Sequence, residues 1–130
     1  MNNLNELSKQ IYEGNKLRGF DVSKENIGQT LMLVVSELAE ALEADRKAKY
    51  ANLEVFENCM AADDINEGDM DLYVKQSFQE TIKDTFQDEI ADSFIRLFDL
   101  CGGLQIDIEK HIKYKLEYNS KREFKHGKRY

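Results

Sequence analysis

The stretch Val74–Cys101, VKQSFQETIKDTFQDEIADSFIRLFDLC, decides the fold class. Within it Phe78, Ile82, Phe86, Ile90, Phe94, Leu97 and Cys101 recur three or four residues apart, the spacing that brings side chains to one face of an α-helix. The pattern predicts a helix of about seven turns. Gly102 and Gly103 follow it, and glycine tolerates the left-handed conformation that commonly ends a helix.

The same periodicity extends in both directions. Upstream, Ile27, Leu31, Val34, Val35, Leu38 and Leu42 predict a second helix capped by Asp21 or Ser23 and reaching about Lys47. Leu4, Leu7 and Ile11 predict a first helix from about Asn5 to Lys16, with Gly14 and Gly19 loosening its end. Downstream, Ile106, Ile108, Ile112 and Leu116 predict a last helix from Leu104 to about Tyr118, followed by a polar tail. Between Tyr50 and Tyr73 a short helix on Leu53, Phe56 and Met60 gives way to an acidic loop (Asp63, Asp64, Glu67, Asp69, Asp71) around Gly68. Proline is absent, which agrees with long uninterrupted helices. The expectation is an all-α bundle of four to five helices, folded as a single domain over residues 1–130.

Charge narrows the partners. The net charge is −7, but residues 1–109 carry 10 Lys+Arg against 23 Asp+Glu, whereas residues 110–130 carry 8 against 2. An acidic body argues against duplex nucleic acid, whose phosphates need a broad basic face. The longest apolar run, Leu31 to Val35, is too short to span a membrane, and the N-terminus lacks the pattern of a secretory signal. Cytoplasmic residence is expected. Cys59 and Cys101 lack metal-ligand spacing and fit reduced core positions.

Two pairs of acids carry the chemistry. Glu37 and Glu40 on the second helix, and Glu89 and Asp92 on the third, are each three residues apart and therefore share a helix face. Acids at this spacing are common on solvated faces, and one pair alone would mean little. Here both pairs are flanked by apolar residues, and desolvated carboxylates cost several kcal/mol unless a cation or donors compensate. If the two helices meet along these faces, four carboxylates converge into an all-oxygen cluster suited to Mg²⁺, with Mn²⁺ the alternative, rather than to zinc. A di-iron bundle would need Glu-x-x-His on two helices, and neither pair has the histidine. The acidic stretch from Asp64 to Asp71 is no calcium loop, because Lys75 stands where the closing Glu belongs.

Ser36-Glu-Leu-Ala-Glu40, Glu89-Ile-Ala-Asp92 and the closing run Lys115-Leu-Glu-Tyr-Asn-Ser-Lys-Arg-Glu-Phe-Lys-His-Gly-Lys128 together resemble the MazG-like, all-α NTP pyrophosphohydrolase superfamily. The resemblance spans about Gly28 to Lys128. It implies that Glu37, Glu40, Glu89 and Asp92 hold Mg²⁺ and that Lys115, Asn119 and Arg122 grip a triphosphate, helped by His126 and Lys128. Ser36 stands where the family motif has its first Glu, and the stretch from Glu40 to Glu89 is long for the family, so the acidic loop reads as an insertion.

The expected function is Mg²⁺-dependent hydrolysis of a nucleoside triphosphate, a dNTP or a non-standard NTP, to the monophosphate and pyrophosphate. Glu37 or Glu40 would act as general base, while Lys115 and Arg122 neutralise charge on the leaving group. The family implies a homodimer or homotetramer, and Phe94, Ile95 and Phe98 spread round the third helix as several packed faces would require. The rival from outside enzymology is a helical adaptor that retains the site without turnover. Taken alone, the basic end is a solvated run paired with the acidic body.

Overall fold

Asn3 opens the first helix, its side-chain oxygen accepting the Glu6 N–H at 2.7 Å. The computed structural model describes residues 3–61 and 67–129, without the side chains of Glu67 and His126. Six α-helices follow one another: α1 (Leu4–Leu17), α2 (Ile27–Arg46), α3 (Leu53–Met60), α4 (Met70–Thr81), α5 (Phe86–Gly103) and α6 (Ile108–Ser120). Short 3₁₀ turns lie at Lys24–Asn26, Glu67–Asp69 and Phe124–Gly127, and no strand occurs among the described residues. The protein is all-α. None of these helices is long and apolar enough to cross a membrane. Asp63 and Asp64 of the acidic loop lie outside the described residues.

The chain divides into two compact units, Met1–Thr30 with Leu97–Tyr130, and Leu31–Arg96. In the first, the start of α1 is tied to the start of α6. The Leu4 N–H donates to the Glu109 carboxylate at 2.6 Å, and the Asn5 amide donates to Asp107 at 2.8 Å. Asp107 also caps α6 by accepting the Lys110 N–H. That cap, with Gln105 at φ 54°, starts the last helix at Ile108 rather than Leu104. Gly102 and Gly103 are not the left-handed stop that the sequence suggests; they lie inside α5. Their lack of a side chain serves close packing instead. A Cβ on Gly102 would fall 2.4 Å from the Ser8 carbonyl oxygen, and one on Gly103 would fall 2.7 Å from that of Val22.

In the second unit, the single helix expected over Val74–Cys101 is two, α4 and α5, separated at Ile82–Thr85. Asp84 turns the chain with φ 60°, a conformation Asp tolerates better than most residues. The corner is braced by its own side chains: the Thr85 hydroxyl donates to the Ile82 carbonyl at 2.6 Å, and the Asp84 N–H donates to Asp88 Oδ2 at 2.9 Å. The fragment Thr85-x-x-Asp88 is a helix-start signal buried within the longer periodic run. Across the unit, Phe56 on α3 meets Phe78 on α4 edge to face at 6.0 Å. The Asn52 N–H donates to the Thr81 carbonyl, and the Phe86 N–H to that of Lys49.

The buried side of α2 also differs from expectation. Leu31, Val35, Leu38 and Leu42, the stripe predicted to pack, are 45–52% exposed, while Thr30, Val34, Glu37, Ala41 and Ala44 are buried. No large side chain among the described residues falls below 2% exposure. Both cysteines are free thiols, Cys101 buried and Cys59 partly so.

Candidate metal centre

Glu37 arrives on the inward face of α2 beside Val34, Ala41 and Ala44, and is itself 7% exposed. Small neighbours on that face leave room for a long acid to lie along the helix. Glu89 and Asp92 come from the first two turns of α5. The start of that helix suits acids, since its unpaired N–H groups and dipole favour negative charge. Glu89 is 5% exposed.

One carboxylate oxygen from each of Glu37, Glu89 and Asp92 lies within 4.8 Å of the other two. Three of the four acids singled out in the sequence therefore converge. Glu40 belongs to no such triad and is exposed, although its charge still acts on Glu89 and Asp92. A second triad, Asp84, Asp88 and Glu89, meets the same distance limit and shares Glu89 with the first.

The electrostatics follow from crowding like charges. Burial is the largest cause pushing the Glu89 carboxyl up to about 7, reinforced by the Glu40 charge, a hydrogen bond with Glu37, and the Glu37 and Asp88 charges. Asp92 is also raised, first by burial and then by Asp88 and Glu37, with the Arg96 guanidinium opposing. Arg96 Nε donates to Glu37 Oε1 at 2.5 Å, an ion pair in which Glu37 is the buried partner. Two cations, Arg96 and Lys83, against six carboxylates, Glu37, Glu40, Asp84, Asp88, Glu89 and Asp92, leave the cluster under-neutralised. A divalent cation matches such a donor set: hard oxygens, more than one helix, and a local excess of negative charge.

Arg96, Asp84 and Asp88 were not signalled by the paired-acid motif. Asp88 was legible as the residue four before Asp92, on the same face, and Arg96 as the residue four after it.

The predicted phosphate-gripping residues belong to the other unit. Lys115 and Arg122 both lie over the Tyr118 ring, 5.1 and 5.7 Å from its centre. Asn119, between them in sequence, has its side-chain oxygen buried without a hydrogen-bond partner among the described residues. Lys128 is exposed just after the closing 3₁₀ turn, and the His126 side chain lies outside the described residues. His111 is exposed on α6.

No family model, curated protein or solved structure matches the chain.

Proposed function

We propose that this protein is a Mg²⁺-dependent, MazG-like nucleoside triphosphate pyrophosphohydrolase, releasing pyrophosphate and a nucleoside monophosphate. The observation that carries the reading is the convergence of Glu37, Glu89 and Asp92 from two helices to within 4.8 Å, with Glu37 and Glu89 buried. Those are metal ligands that the sequence resemblance assigns, and desolvated acids held together without compensation would be a standing cost. Bound Mg²⁺ supplies charge neutralisation on phosphate oxygens and a more acidic attacking water; Mn²⁺ fits the same oxygens.

The chain's own residues divide the remaining work. Glu37, Glu89 and Asp92 hold the cation. Glu37 is fixed by Arg96, whereas Glu40 is exposed and outside the triad, which favours Glu40 as the general base that takes the proton of the attacking water. Lys115, Asn119 and Arg122, with His126 and Lys128, are carried over from the resemblance as phosphate contacts. The partially exposed stripe Leu31, Val35, Leu38 and Leu42, with Phe94 and Ile95, supports assembly as a homodimer or homotetramer, because its 4-3-4 spacing is that of a helix seam. Substrate and product of this kind belong to the cytoplasm.

The test is pyrophosphate release from a panel of ribo- and deoxyribonucleoside triphosphates with and without Mg²⁺. Release should depend on the metal and fall at least a hundredfold in Glu37→Gln and Asp92→Asn, while Arg122→Ala lowers turnover with metal binding retained. No release above background by folded, metal-loaded protein would refute the hydrolase reading and favour a helical adaptor, for which the exposed apolar stripe would be the binding surface.

A further inference from the structure

A cleft of about 530 Å³ opens beside the acids, within the unit that contains them. One wall is formed by Asp88 and Asp92, each a member of a metal-capable triad. The facing wall belongs to α4, where Val74 and Phe78 supply apolar surface and Gln79 an amide. We propose that this cleft is the nucleoside pocket of the enzyme: the base lies on Phe78, the Gln79 amide reads its polar edge, and the phosphates run toward Asp88 and Asp92. The proposal rests on the triphosphate reading and adds to it the part of the substrate that the acids do not recognise.

The volume is that of a small-molecule site. Phe78 is held edge to face by Phe56, so its ring is fixed before anything binds, and an aromatic face accepts any base by stacking. Gln79 is exposed and makes no hydrogen bond to another described residue, leaving a donor and an acceptor for a base edge. Lys75 is likewise unpaired among the described residues, and Lys83 is bound only to its neighbour Asp84 at 2.9 Å. Both ammonium groups line the same cleft.

Charge selects the occupant. Asp71, Asp84, Asp88 and Asp92 outnumber the two lysines, so an anionic phosphate chain is repelled unless it arrives with a divalent cation. A neutral, flat, hydrogen-bonding group meets no such penalty on the Val74–Phe78 side. An inorganic polyphosphate would leave that apolar surface unused, and a bare cation would need only the acids. A nucleotide uses both walls.

Val74, Phe78 and Gln79 directly follow the acidic loop in sequence and lie between the two acid motifs, so α4 brings an apolar-and-amide face next to a corner of acids.

The experiment has two readouts. First, an uncharged nucleoside is titrated into ¹⁵N-labelled protein without metal, and amide shifts are followed. Shifts should centre on residues 74–79 and 83–88, with Gln79→Ala and Phe78→Leu each weakening the apparent Kd about tenfold; the leucine keeps apolar packing against Phe56. Second, wild type should prefer a nucleoside triphosphate to inorganic tripolyphosphate, and both variants should narrow that preference through KM more than kcat. Shifts confined to other segments, or apparent Kd and KM within twofold of wild type in both variants, overturn the pocket. If no triphosphate is hydrolysed but the nucleoside still maps to α4, the hydrolase reading fails while the nucleoside pocket stands.

Discussion

Glu89→Gln separates the cost of burying acids from the benefit of holding a metal. In the metal-free protein the Glu89 carboxyl sits near 7 against an ordinary 4.5, so the folded state holds a proton that the unfolded chain has released. Below pH 4.5 both states are protonated and nothing is lost. As pH rises through 7 the folded carboxyl ionises too, and the full penalty is then present. Each pH unit of difference corresponds to about 1.4 kcal/mol, which puts the ceiling at about 3 kcal/mol. Asp92 and Asp88 line an open cleft, and solvent there brings the realised figure to about 1–2 kcal/mol. A glutamine keeps a donor for Glu37 and cannot ionise. Metal-free Glu89→Gln should therefore match wild type near pH 5 and exceed it at pH 8 by about 1–2 kcal/mol, roughly 3–8 °C in Tm for a domain of this size. Millimolar Mg²⁺ at pH 8 should reverse the order, because only wild type retains the full ligand set. Thermal unfolding followed by circular dichroism at the two pH values, with and without Mg²⁺, measures all of this. An equal gap at pH 5 and pH 8 would refute the electrostatic account, and an unchanged order with Mg²⁺ would remove Glu89 from the metal centre.

Gly102→Ala should destabilise by about 2–3 kcal/mol in urea unfolding, since its methyl would strike the Ser8 carbonyl and the Tyr12 Cβ, whereas Gly28→Ala, in open space on α2, should stabilise by about 0.5–1 kcal/mol. Thr85→Ala removes the hydroxyl that bonds Ile82 and approaches the Asp88 N–H, so it should cost about 1 kcal/mol and weaken Mg²⁺ affinity in calorimetry; a stability loss with affinity unchanged would detach the corner from the site. Leu38→Glu, on the exposed stripe of α2, should shift sedimentation toward monomer while helicity is retained, and an unaltered sedimentation coefficient would remove that stripe from any self-association.

The sequence made the helical class and the three acids that converge legible because both depend on spacing along one helix. Glu89 and Asp92 share a face wherever α5 begins, so the missed break at Ile82–Thr85 did not disturb them. The break was hidden because Phe78, Ile82 and Phe86 keep a four-residue interval across it, and periodicity does not register an interruption that preserves phase. Thr85 and Asp88 held the missing information in their capping pattern. On α2 the leucine stripe indicated what would gain from burial, but burial within this chain falls on Ala41, Ala44 and Glu37, where small residues admit a close neighbour. Glu40 was paired with Glu37 by interval alone, and an interval does not specify which of two acids reaches a third helix position. The glycine pair at the end of α5 suggests a stop by conformation, but its role is proximity to Ser8 and Val22.

The four-residue corner between α4 and α5 divides the labour of change. Glu37, Glu89 and Asp92 depend on α2 and α5, while Phe78 and Gln79 depend on how α4 enters the corner. One residue added or removed there would turn α4 by about 100° about its axis and present a different set of side chains to the cleft. The acid triad, carried by α2 and α5 and not by α4, would persist. If the triad holds the metal and the cleft the base, as proposed, a lineage could exchange the one without rebuilding the other, and the corner is where such divergence would be written.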